Sequence, residues 1–471
     1  MVSRQGDLWA FGRGDRGQLG LSNDADELLP ALVGGADEVF DGKAIVMVAA
    51  GHRHAACVTA KGMLWSWGKG AHGQLGQGER ELRQRPARIC KEVYGGSPAV
   101  MVACGAEHTV VLTAVGCLWS CGWGFFGQLG HGDTADKLVM MLVGEEGFTG
   151  AQIVMVAAGG YHNVALGAEG GVWTWGAGDS GQLGHNNQET RLVPTLLAGE
   201  ALGGSAVVLV AAGGMHTVAL TIEGELWTWG WGLYGQLGLG DKVTRLAPTL
   251  VKVEAAFGGS QVLMAACGDA HTLAVTKDGA LWTFGEGRNG ALGHNDHTNR
   301  LMPKRIKAQH FGNASIVSAA AGQSHSAAVT GVGALYTWGE AVALGHASGE
   351  TKFVPTLVAT QQLQGVRVGR CHDLPPMHAL AFAMGTHVRL SSAAPIAETA
   401  GGASQGRLQR QQGKASAAAD EGKDCEYATM PGELVQRVVE ACGSWPEGRS
   451  GELDGVVRLL GGGMMKPRGS T

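Results

Sequence analysis

Two sets of residues in this chain carry spacings that could do chemistry. The pattern G-x-G-x-x-G occurs six times, beginning at Gly12, Gly68, Gly122, Gly176, Gly230 and Gly285. Between a strand and a helix such a loop cradles a pyrophosphate, because glycine lets backbone N–H groups approach and the helix N-terminus adds a favourable dipole. The second set is a histidine series, His54, His108, His162, His216, His271, His325 and His378. Imidazoles in numbers suggest metal ligation or proton transfer.

The context excludes both chemistries. Each glycine motif leads into a G-Q-L-G or related turn and then another extended segment, so the helix that a phosphate site needs is missing. A histidine that every unit carries serves what every unit needs, which is packing and the hydrogen bonding of a turn. The glutamines of the G-Q-L-G turns (Gln18, Gln74, Gln128, Gln182 and Gln236) are read the same way, as ties for the loop. No H-E-x-x-H, no metal-ligand spacing and no Ser/His/Asp arrangement stands apart from the repeat. No catalytic residue, metal or cofactor is therefore expected.

The elements that position these residues follow from the period. Seven segments, from LWAFG at 8–12 to LYTWG at 335–339, end in glycines spaced by 56, 54, 54, 54, 55 and 54 residues. A sustained period near 54 means stacked supersecondary units. In residues 206–250 one unit reads as an apolar strand A (VVLVAA), a glycine turn, strand B (HTVAL), a hairpin turn, strand C (ELWTWG), the glycine loop and a weaker strand D. Glycine at 79 of 471 residues, more than twice the usual share of roughly 7 per cent, disfavours helix and favours short strands with tight turns. Four antiparallel strands repeated seven times predict an all-β, seven-bladed β-propeller. The chain begins at the B–C turn, and the array ends after a strand B at PMHALAFAMG (376–385). One blade is thus expected to be shared by both ends, closing the ring. Large strand-C tryptophans, Trp227 among them, are expected to fill the space between blades.

Composition bounds the rest. The net charge of −5 argues against nucleic-acid or nucleosome binding through phosphate neutralisation. Nine cysteines without a C-x-x-C pair read as reduced thiols, and with no apolar signal core or span this predicts no membrane association and a cytoplasmic or nuclear protein. Residues 1–390 are assigned to the propeller. Residues 391–430, rich in Ser, Ala, Gly and Gln, read as a flexible linker. Residues 431–471 form a tail whose PGELVQRVVEAC places apolar residues at helical spacing.

Three linked motifs, A-G-x-x-H-T-x-x-L-T, G-x-L-W-x-W-G and G-x-x-G-Q-L-G, resemble the repeats of the regulator of chromosome condensation family over residues 1 to about 390. The resemblance implies a seven-bladed propeller. It also implies a spread of functions: guanine-nucleotide exchange on the small GTPase Ran, UV-B perception in plants, and the propeller domains of HECT-type ubiquitin ligases. The photoreceptor's light-absorbing tryptophans occupy the G-x-x-H gap, where this chain has none. The exchange factor presents acidic residues in that gap, where this chain has only Glu107 and Asp269, three blades apart.

Function is expected where units differ at one equivalent place. Because strands alternate in direction, the A–B gap and the C–D glycine loop lie on one face. The gap offers Arg53, Glu107, Tyr161, Met215 and Asp269. The loops offer Trp123, Phe125 and Phe126 in one unit and Trp231, Leu233 and Tyr234 in another, and exposed aromatics near arginine are common interface anchors. The expected function is a protein-interaction platform. The alternative is guanine-nucleotide exchange on a Ran-like small GTPase, with Glu107 and Asp269 in the exchange role.

Overall fold

The computed structural model describes residues 1–358 apart from residue 4 and residues 35–38. Six four-stranded antiparallel sheets follow one another along the chain, each in the order A-B-C-D, after a two-stranded sheet formed by Trp9–Gly12 and Glu27–Leu32. We number these units 1 to 7. In unit 4, for example, Ile153–Ala158, His162–Gly167, Val172–Gly176 and Arg191–Leu196 are strands A to D. Strands A to C are apolar and largely buried because each sheet is covered by its neighbours, whereas strand D alternates toward solvent at the rim.

This corrects the expected count: among the described residues the structure has six four-stranded blades, not seven. The L-W-x-W-G motif marks only strand C, and seven strands C are indeed present. A complete blade also needs strands A and B, which the first unit does not have among the described residues. The segment expected to supply them (376–385, with His378), the linker at 391–430 and the tail at 431–471 lie outside the described residues. Unit 7 nevertheless packs on unit 1, where Phe11 joins Ala327, Val329, Leu335 and Val358 in one buried cluster.

A buried seam joins successive blades. His54 Nε2 lies 2.9 Å from Thr109 Oγ1 of the next blade, and the Thr109 hydroxyl donates to the Gln74 carbonyl at 2.7 Å. The imidazole must then be the donor to threonine. His108–Asn163–Gln128, His162–Thr217–Gln182, His216–Thr272–Gln236 and His271–Ser326–Ala291 repeat the relay. Five of the seven histidines, His54, His108, His162, His216 and His271, thus tie one blade to the next through Nε2. Indole N–H groups of Trp67, Trp175, Trp229 and Trp338 add bonds to the carbonyls of Gln18, Gln128, Gln182 and Ala291. Those tryptophans are fully buried, whereas Trp227 is only half-buried, so in that blade the second aromatic of the motif lies deeper between blades.

A further histidine set went unread in the sequence. His131, His185, His294 and His346, each following a glycine loop, meet the strand-C hydroxyls of Ser120, Thr174, Thr283 and Thr337 at 2.9–3.0 Å. Met140, where the other strands D carry proline, also finds an explanation. Among the described residues only here does strand D form an isolated bridge with the preceding loop, Gln77 to Val139, and proline has no N–H to offer such a ladder.

Candidate functional site

One backbone bond per blade brings the two variable loops together. Lys69, Trp123, Ala177, Trp231, Glu286 and Glu340 donate their N–H to the carbonyl of the gap residue in the same blade (Arg53, Glu107, Tyr161, Met215, Ala270 and Ser324) at 2.8–3.0 Å. The glycine before each donor is what permits this approach. Gly122 has φ of 114°, and a Cβ there would stand 2.5 Å from the Glu107 carbonyl. The first glycine of G-x-G-x-x-G is thus a close-contact residue, and a turn and strand D follow the motif in place of a helix. Among the described residues no group of three or more His, Cys, Asp or Glu could hold a metal ion.

On this face the structure gathers four of the expected residues into one aromatic cluster. Trp123 stands 5.8, 5.4 and 5.5 Å from the rings of Phe125, Phe126 and Tyr161, and Phe126 lies 5.3 Å from Tyr161. Two of these pairs are edge-to-face and one is stacked, at separations typical of favourable aromatic pairs. His72 of the preceding loop adds a fifth ring, 5.6 Å from Trp123. Its place in the cluster was not read from the sequence, because ring contact across blades depends on the ring's curvature. Trp123, Phe126 and Tyr161 are half-buried by their neighbours, while Phe125 is 61% exposed. Burial, with the charges of Glu107 and Asp269, pushes the Tyr161 phenol above its usual range.

Trp231 and Tyr234 form a second pair 5.0 Å apart two blades further on, beside Leu233, which is 51% exposed. Met215 lies near Ser180, whose hydroxyl reaches the thioether sulfur at 3.7 Å. Arg53 is half-buried at its turn and has no ionic partner among the described residues.

The two acidic gap residues have different surroundings. Glu107 is held by Lys69 Nζ at 2.7 Å and also accepts from the Gln74 amide. Its carboxylate is committed within the molecule. The Asp269 backbone carbonyl accepts from the Gly214 N–H at 3.1 Å. Burial first, and Asp269's charge, raise the neighbouring Glu286 carboxyl above its ordinary range.

Comparisons with known proteins agree with this architecture. The chain is 39% identical over 306 residues to the ultraviolet-B receptor UVR8 of Arabidopsis thaliana, covering 64% of this chain and 67% of the receptor. It is 38% identical over 275 residues to the E3 ubiquitin-protein ligase HERC2 of Homo sapiens, covering 58% of this chain but only 5% of the ligase. Among solved structures, yeast RCC1 (Prp20) in its complex with Kap60 superposes with a TM-score of 0.66 at 24% identity, over 76% of this chain and 84% of that one. That likeness shows the fold. The model of the RCC1-like domain matches residues 1–307, well over half of the sequence. On this match, and on the blade-by-blade seam that carries its motifs, the chain belongs to the RCC1-like domain family.

Proposed function

We propose that this chain is a protein-interaction platform that engages its partner through the face formed by the A–B gaps and C–D glycine loops. One observation carries the reading: an exposed Phe125 ring stands at the edge of a packed aromatic cluster where most other loops are polar. An apolar anchor on a supported rim fits protein recognition. The partner is a protein.

The test is affinity capture with Phe125→Ser and Leu233→Ser chains beside a Lys277→Ser control, which alters a B–C turn on the opposite face. Loss of captured protein with the first two and retention with the control is the expected result. Equal capture by all three would remove the reading. Nucleotide exchange is the competing outcome, and release of fluorescent GDP from purified Ran measures it directly. The Glu107 carboxylate, already occupied by Lys69 and Gln74, favours the platform. Acceleration that disappears in a Glu107→Ala, Asp269→Ala chain would replace the platform with exchange.

A further inference from the structure

The glycine loops differ in what their glutamine amides meet. In the five loops that carry Gln, the side-chain oxygen accepts the N–H two residues earlier, at 2.7–3.0 Å. The amide nitrogen is left to donate. Gln18 and Gln182 donate to the aspartate of their own loop, Asp15 and Asp179, at 3.0 and 3.1 Å. Gln74, with Ala71 at the aspartate's place, donates across the blade boundary to Glu107. The remaining two, Gln128 and Gln236, are fully buried, and their Nε2 donors have no hydrogen-bond partner. Their loops carry Phe125 and Leu233 where the sister loops carry aspartate, and the next blade offers Tyr161 and Ala270 where Gln74 finds Glu107.

The two loops that expose apolar side chains are therefore the two that leave an amide donor without an acceptor. A buried unmatched donor is rare, and a repeat that matches it in three sister loops shows what is missing. We infer that both loops are docking sites for a partner protein, each offering an amide donor. The partner inserts an aspartate or glutamate flanked by apolar residues, and its carboxylate takes on Gln128 or Gln236 the place that Asp15 and Asp179 hold in their own loops. This rests on the reading of this face as an interaction platform. Phe125 and Leu233 stand at the aspartate positions, so they turn aside to admit the carboxylate and then pack on the apolar flank. The Gln128 site is the stronger. Glu107 nearby is neutralised by Lys69, whereas Asp269 and Glu286 bring acidic charge to the blade that faces Gln236.

Two measurements test this. The first needs no partner: Phe125→Asp restores the sister-loop pairing, so it melts above Phe125→Ser by roughly 2 °C, the shift that one hydrogen bond to a charged group gives in a domain of this size. Equal melting temperatures would overturn the inference. The second follows the Gln128 and Gln236 side-chain amide signals by NMR during titration with the capped peptides Phe-Asp-Leu and Phe-Ala-Leu. The aspartate peptide is expected to bind about tenfold more tightly. A Gln128→Glu, Gln236→Glu chain keeps each loop's internal acceptor and is expected to lose that preference. Equal affinities, an unchanged double variant, or no perturbation at millimolar peptide would each overturn the proposal. A partner whose capture depends on Phe125 but not on the two glutamines would leave the platform standing and remove this inference alone.

Discussion

The seam between blades and the rim above it are built from the same repeat and behave as opposites. At the seam unit after unit repeats one chemistry in a buried space: an imidazole, a hydroxyl or amide and a carbonyl, joined in four units by an indole. At the rim, a few residues away along the chain, the units diverge into salt bridge, aspartate pair and aromatic cluster. The difference teaches where stability and recognition separate. Buried polar groups must find partners, so the seam tolerates little change. Exposed groups carry no such penalty, so the rim is free to vary and to bind.

The comparison is sharpened most by acid. Burial drives the His54 and His325 imidazoles down to about 3 and His271 to about 4, from an ordinary 6.5. The unfolded chain thus takes up protons near 6.5 while the folded seam resists them until far lower. Their stabilisation is complete above that pH and drains as the pH falls. With about 1.4 kcal/mol per pH unit for each group, three histidines cost on the order of 5 kcal/mol between pH 7 and 5. Urea midpoints at the two values measure it, and a flat response would break the picture of a neutral, dry seam.

Trp229→Ala removes an indole that is fully buried and bonded to Gln182 across the boundary, and is expected to cost about 3–5 kcal/mol. Trp227→Ala, at a half-buried site, should cost less, and comparing the two denaturation midpoints tests which aromatic carries more of the packing between blades. Thr217→Val leaves the His162 donor without its acceptor and should cost about 1–3 kcal/mol in the same assay. At the small end, Phe125→Ser is expected to change stability by no more than about 0.5 kcal/mol while removing partner capture. A large loss of stability there would mean that the ring belongs to the core.

Much of this was legible in one sequence. The period, the strand order and the packing role of the histidine series follow from residues repeating every 54 or so positions. The shared face of gap and loop follows from strand direction alone, and the backbone bond from Trp123 to Glu107 realises it. Other features needed neighbours in space. His54 meets Thr109 across 55 residues, and His72 meets Trp123 across two loops. Trp227 and Trp229 look equivalent in L-W-T-W-G, yet of the two only the second donates a hydrogen bond to the preceding blade. Counting strand-C motifs suggested seven four-stranded blades, whereas pairing shows six among the described residues, because a motif marks a strand and a blade is a set of hydrogen bonds.

The sequence by itself determined the repeated unit, since side-chain period and glycine turns act over a few residues and are written locally. The tertiary structure alone decided which carboxylate is occupied, which ring is exposed and which amide lacks an acceptor. Glu107, Phe125 and Gln128 acquire those properties from the adjoining blade. The energy of a buried hydrogen bond depends on what stands opposite it, and in a ring of blades that residue lies tens of positions away in the chain.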